Sequence, residues 1–230
     1  MVTQVPFTPA RENLGQQVYQ HLRDRIYLME IAPGTRLSVS EIAEQLRVSR
    51  SPVRDALMML VKEGVVEMNP TTGYHVIELT RAYIENVFVL RRALELAAIQ
   101  LAMAHLDRER IEELRARWLS FQNTENPTAR RLEDEILADQ ELHRTIAEMS
   151  KNPLLIDALD RINSVTWLIS RLTYASVQQI HYGVLTVKEH LQLLEAMLSG
   201  DAPAAVAALD DHLASAFTRT LDRLDSAKDA

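Results

Sequence analysis

An aspartate and three histidines interrupt apolar stripes that otherwise read as the buried faces of helices. Asp139 and His143 stand one turn apart on a stripe shared with Leu132, Ile136 and Ile146. His190 falls on Val184, Val187, Leu191, Leu194 and Leu198, and His212 on Val206, Leu209, Leu213, Ala216 and Phe217. One buried ionisable group is costly, and four on inward faces imply a common partner. His190 and His212 each lie about ten residues from a turn at Gly200–Pro203, which puts both roughly 15 Å above it and level with each other. His143 also sits near the middle of its helix. One carboxylate and three imidazoles suit Zn²⁺, Ni²⁺ or another divalent transition ion, with positions left for water or a ligand oxygen. Taken singly, Asp139–His143 is an ordinary intrahelical pair and a lone histidine an ordinary hydrogen-bonded core residue. The four together favour a metal site.

A second constellation lies near the amino terminus. In Val48-Ser49-Arg50-Ser51-Pro52-Val53-Arg54-Asp55-Ala56-Leu57, with Leu60 and Val61 beyond, one helical face is apolar and the other carries Arg50 and Arg54. Arg47 precedes them, and no acid intervenes between Arg47 and Arg54. Pro52 suits a first helical turn, Ser51 is placed to cap it, and Gly64 to stop it. A short helix buried on one side and presenting arginines at its start is what a major-groove reader needs. An isolated helix of this kind could equally be a solvated face. The surrounding elements decide for DNA, whereas Arg36 and Arg47 stay balanced between phosphate contact and ordinary surface charge.

The expected fold class is mainly α. Residues 1–10 read as a flexible arm, and Leu14, Val18, Leu22 and Ile26 mark a first helix that Ala32-Pro33-Gly34 breaks. Ser38 and Glu41 form a capping box for a second helix. Residues 65–68 and 74–77 alternate as two strands around an Asn69–Gly73 loop. Three helices and a hairpin make a winged helix-turn-helix over 11–78. From 79 to 230 the pattern predicts an antiparallel all-α bundle of about six helices, at 81–105, 108–123, 129–150, 153–173, 182–199 and 202–225. Its breaks fall at Asn126-Pro127, Asn152-Pro153, 174–182 and Gly200–Pro203.

The net charge of −7 is unevenly spread. Residues 1–78 hold 8 Lys/Arg and 9 Asp/Glu against 17 and 23 in the remainder, so the first part is close to neutral. A local basic surface, rather than the total, governs DNA binding. The chain has no cysteine, which excludes disulfides and thiolate metal sites. With no signal pattern and no apolar run of membrane length, a soluble cytoplasmic protein is expected.

Pro33-Gly34-Thr35-Arg36-Leu37, Glu41-Ile42-Ala43 with Leu46, the 48–57 segment, Glu63-Gly64-Val65-Val66 and Gly73 resemble the DNA-binding domain of GntR-family regulators. That resemblance implies that Ser49, Arg50, Ser51 and Arg54 contact the operator, with Thr72 and Gly73 at a wing tip near the minor groove. Arg91-x-x-Leu94-Glu95, Asp139-x-x-x-His143, Asn152-Pro153-Leu154-Leu155, Glu189-His190 and Asp210-Asp211-His212-Leu213 resemble the effector domain of the FadR subfamily, known as FCD, in its shorter VanR-like form. It implies an ion ligated by Asp139, His143, His190 and His212, a small organic or sugar acid as effector, and a homodimer on a palindromic operator, with repression the expected mode. Arg91, which reads equally well as an i,i+4 partner of Glu95, and Arg171, a weaker candidate, are the residues placed to meet a carboxylate, while Trp167 and Tyr174 read as packing residues. A purely structural metal is the alternative. A metallohydrolase finds little support, because no second carboxylate stands out on the inward faces, and Glu189 and Asp211 should point about 100° away from their neighbouring histidines.

Overall fold

The chain is described by a computed structural model covering residues 14–122, 129–173 and 179–226. The 1–10 arm, the Asn126-Pro127 break and Tyr174 lie outside those residues. The structure divides into two compact units, Met1–Leu79 and Thr80–Ala230.

In the first unit, α1 (Leu14–Tyr27) buries Val18, Leu22 and Ile26 at helical spacing against α3 (Arg50–Glu63), whose Val53, Ala56, Leu57 and Leu60 are fully buried. Between them, α2 (Val39–Leu46) starts at Ser38, whose hydroxyl accepts from Glu41 N. It ends on Arg47 in the left-handed region, φ 53°. Glu63 at the end of α3 ties the unit together. Its Oε1 accepts from Tyr27 Oη at 2.6 Å and Arg23 Nε at 3.0 Å, and its Oε2 from Tyr19 Oη at 3.0 Å.

Two details differ from the sequence expectation. The amino-terminal cap of α3 is Ser49 rather than Ser51, so Arg50 is already helical and Pro52 sits inside the first turn. The sheet has three strands, not two. Beside the hairpin β2 (Val66–Asn69) and β3 (Gly73–Val76), the pair β1 (Arg36–Leu37) joins the free edge of β3, Arg36 opposite His75 and Leu37 opposite Tyr74. Gly34, at φ +78°, turns the chain so that its amide donates to the Val76 carbonyl. At two residues, β1 is too short to display an alternation.

The second unit is helical throughout its described residues. It comprises α4 (Arg81–Ala102), α5 (Arg108–Ser120), α6 (Ala129–Met149), α7 (Pro153–Thr173), α8 (Gln179–Ser199) and α9 (Ala202–Ser226), with a short 3-10 turn at Met103–His105 after α4. Side chains cap the starts: Thr80 accepts from Tyr83 N, Asp107 from Arg110 N, Asn152 from Leu154 N and Leu155 N, and Asp201 from Ala204 N. Each cap of this kind stabilises by about 1 kcal/mol. α8 begins earlier than expected and runs through Gly183, which costs about 1 kcal/mol relative to alanine without ending a helix. Gly200, at φ +78°, reverses the chain between α8 and α9. α4 packs on α6, α7 and α9, and α8 on α5 and α9. Their common core holds Ile99, Ile111, Trp118, Leu142, Ile146, Leu193, Leu194 and Leu209.

Candidate metal centre and DNA-contacting surface

Asp139 and His143 project from α6, His190 from α8 and His212 from α9, and one ligand atom from each falls within 4.8 Å of all the others. Asp139 Oδ1 is the hub, 3.1 Å from His190 Nε2, 3.6 Å from His143 Nε2 and 4.0 Å from His212 Nε2. The His190 and His212 rings are 4.3 Å apart between centroids, so the two arms of the α8–α9 hairpin do bring them level. All three histidines are buried, whereas Asp139 keeps 33 % of its side chain exposed.

The Nε2 atoms of all three histidines are buried and, among the described residues, make no aligned hydrogen bond. A buried polar nitrogen left without a partner costs about 1–3 kcal/mol. Three such atoms converging on one carboxylate fit a divalent cation, and an N₃O donor set suits zinc or nickel.

The opposite nitrogens of two rings are taken up. His143 Nδ1 lies 2.5 Å from Glu95 Oε2, and Glu95 Oε1 accepts from Arg91 Nε at 2.6 Å. His212 Nδ1 lies 3.0 Å from Glu189 Oε2, and Arg219 donates to both oxygens of Glu189 at 2.7 and 2.8 Å. Burial works against a charged His143, yet the Glu95 carboxylate, with Asp139 adding to it, raises its pKa to about 9. His212 goes the other way: burial and the adjacent His190 push it down to about 3. Burial also lowers His190, against the pull of Asp139. Burial would raise Glu95, but His143 and Arg91 hold it down at about 2.

Beside this cluster is a cavity of about 70 Å³ lined by Arg91, Asp139, His212, Arg219, Thr166 and Ser170 among others. A smaller one, about 20 Å³, touches Arg91, Asp139 and His143. Arg91 therefore reaches the cavity, although its Nε is engaged by Glu95. Arg171 lines neither cavity, and its guanidinium lies 5.4 Å from the centroid of the Trp167 ring.

Three participants escape the sequence reading. Glu95 is buried and inward, contrary to the expectation that no second carboxylate would be. It stands four residues from Arg91, so it reads as half of an ordinary helical ion pair until α6 is placed against α4. Glu189 does diverge from His190, as the 100° offset requires, and that divergence carries it behind His212. Trp118, fully buried, packs against His190 with centroids 3.9 Å apart and ring planes tilted by 31°. The signal for Glu189 is Arg219, seven residues from His212 and on the same face of α9.

On the first unit, Ser49, Arg50, Ser51 and Arg54 are all exposed along the start of α3, as are Arg36 on β1 and Arg47 at the end of α2. Among the described residues, none of these four arginines is ion-paired. Thr72 is exposed at the hairpin tip, where Asn69 Oδ1 accepts from the amides of Thr71 and Thr72. Gly73, at φ +89°, follows it.

A helix-turn-helix with exposed arginines on its third helix and a wing beyond it has the architecture of a DNA-binding head, here followed by a helical second unit. Residues 14–76 match the bacterial regulatory proteins of the gntR family, and residues 86–215 match the FCD domain. The chain belongs to the GntR family of DNA-binding transcriptional regulators that carry an FCD domain. It is 26% identical over 200 residues to the HTH-type transcriptional repressor RspR of Escherichia coli K12, covering 87% of this chain and 86% of that one. A YdfH regulator of Escherichia coli O6:H1 is 26% identical over 211 residues, covering 92% and 89%. The solved structure of E. coli McbR/YncC superposes with a TM-score of 0.72 at 22% identity, covering 92% of this chain and 98% of that one, a likeness of fold. No described helix is long and apolar enough to cross a membrane.

Proposed function

We propose that this regulator holds one divalent transition ion, zinc or nickel, on Asp139, His143, His190 and His212, and senses a small carboxylic or sugar acid beside it. The observation that carries this reading is the convergence on Asp139 of three buried Nε2 atoms that, among the described residues, make no aligned hydrogen bond. When bound, the ion supplies a Lewis acid that can take a carboxylate oxygen. The remaining binding is the protein's own. Arg91 and Arg219 line the adjacent cavity together with Thr166 and Ser170, whose hydroxyls donate to the Ile162 and Thr166 carbonyls of their own helix. Glu95 has both oxygens committed to Arg91 and His143, which argues against a general base and for sensing rather than turnover.

In the same reading the protein binds a palindromic operator as a homodimer, its two winged helices related by the symmetry of the site. Arg50 and Arg54 read bases, Ser49, Ser51, Arg36 and Arg47 hold phosphates, and Thr72 and Gly73 approach the minor groove. The relative RspR is named a repressor, and repression is the mode extended to this chain. The acid regulates only by binding the DNA-competent and incompetent states unequally.

The test starts from duplexes that the protein selects out of a random double-stranded pool. The zinc- or nickel-loaded protein is then titrated with a panel of mono-, di- and sugar acids while operator binding is followed by anisotropy. Release by one acid class, lost in His212→Ala, supports the reading. Failure to select any duplex overturns the DNA half, and indifference to every acid overturns the sensing half.

A further inference from the structure

We infer that Glu95 and Glu189 are positioning residues of the metal centre: each accepts a hydrogen bond from the Nδ1–H of one ligating histidine and thereby directs its Nε2 lone pair at the ion. The inference rests on the metal reading above. The same three-part arrangement occurs twice, built from unrelated stretches of chain. On one side Arg91 and Glu95 of α4 stand behind His143 of α6, and on the other Glu189 of α8 stands behind His212, with Arg219 of α9 closing the set.

The chemistry of the ring leaves little choice. A neutral imidazole has one N–H and one lone pair, and a carboxylate only accepts. In the neutral ring that binds a metal, a carboxylate 2.5 Å from Nδ1 in His143 and 3.0 Å in His212 leaves the proton on Nδ1 and the lone pair on Nε2. Those are the nitrogens that face Asp139. A carboxylate at this place also makes the imidazole a stronger donor. The arginines complete the arrangement. Arg219 occupies both oxygens of Glu189, and Arg91 occupies the Glu95 oxygen that His143 does not. Each glutamate is thus held behind its histidine and kept from swinging round to compete as a ligand.

His190 is the exception that makes the pattern informative. No carboxylate stands behind it: among the described residues its Nδ1 has no hydrogen-bond partner. Its ring is instead packed against Trp118, centroids 3.9 Å apart and planes tilted by 31°. Two ligands are aligned by charge and the third by packing, so only His143 and His212 should respond to loss of a carboxylate.

The experiment uses the full chain and zinc alone, comparing wild type, Glu189→Ala and Glu189→Gln. Zinc affinity is measured by competition with a chromophoric chelator, and the histidine tautomers by long-range ¹H–¹⁵N spectra of the rings. Wild type should show His143 and His212 ligated through Nε2 with Nδ1 protonated. Glu189→Ala should bind zinc about 10–100-fold more weakly, with the His212 pattern altered and that of His143 retained. Glu189→Gln, which keeps an acceptor oxygen but not the charge, should fall between the two. If Glu189→Ala does not fold, the near-isosteric Gln variant decides: affinity equal to wild type overturns the positioning role and leaves the metal site standing. A wild-type chain that takes up no zinc overturns both.

Discussion

Removing the Glu95 side chain should destabilise the helical unit more than almost any other single truncation outside its apolar core. Glu95 and Arg91 leave only 2 % and 7 % of their side chains exposed, and their ion pair spans 2.6 Å. In Glu95→Ala the Arg91 guanidinium stays charged, buried and without its nearest anion, and His143 loses the acceptor on Nδ1. Breaking a buried pair by removing one partner costs about 3–5 kcal/mol, because the surviving charge has been desolvated without compensation. For a unit of this size that corresponds to a fall of roughly 6–20 °C in melting temperature. Both tryptophans, Trp118 and Trp167, lie in the helical unit, so tryptophan emission of chelator-treated full chain follows its unfolding by heat or urea. The double variant Arg91→Met/Glu95→Leu removes both charges and should recover most of the loss, since apolar replacement of a whole buried pair is near neutral. It should not recover zinc affinity, because His143 still lacks its carboxylate. A Glu95→Ala protein that melts within about a degree or two of wild type would show that the buried pair contributes little, as would a double variant no more stable than the single.

Further expectations concern DNA and pH. Arg54→Ala should weaken binding to a selected duplex by about 1–3 kcal/mol, the range for one good base contact, while oligomeric state and metal content stay unchanged. Unaltered affinity at physiological salt would remove Arg54 from the interface. In the metal-free unit, His143 has a folded pKa of about 9, above its ordinary 6.5. It therefore contributes stability fully below pH 6.5 and loses it as pH rises through 9. His212, lowered to about 3, works in the opposite sense: its contribution is present above pH 6.5 and is lost as pH falls toward 3. Metal uptake must displace the His143 proton, so apparent zinc affinity should rise about tenfold per pH unit between pH 7 and 8.5. A flat profile over that interval would contradict the assignment.

Much of this architecture was legible because helical periodicity is a local property. Leu14, Val18, Leu22 and Ile26 mark α1, the cap at Ser38 announces α2 within a few residues, and the breaks at Asn152-Pro153 and Gly200–Pro203 mark where α7 and α9 begin. The four-residue cluster was legible for the same reason: each member breaks an apolar stripe on its own helix, and the short α8–α9 turn fixes the relative height of His190 and His212. What stayed hidden depends on which helices face each other. Glu95 pairs with His143 across 48 positions and Glu189 with His212 across 23, and neither spacing has a period. β1 was missed because it exists only through its partner β3. The cap of α3 was misplaced by two residues because Ser49 and Ser51 both suit an amino-terminal cap and Pro52 is tolerated at more than one first-turn position.

Whether Asp139, His143, His190 and His212 form one cation site is decided by native mass spectrometry of the full chain, purified without chelator and then supplied with zinc or nickel. One ion per chain is expected in the wild type and loss of that ion in His190→Ala, with the fold preserved by circular dichroism. A wild-type chain that stays metal-free in excess of both metals, or a His190→Ala chain that keeps full occupancy, would contradict such a site.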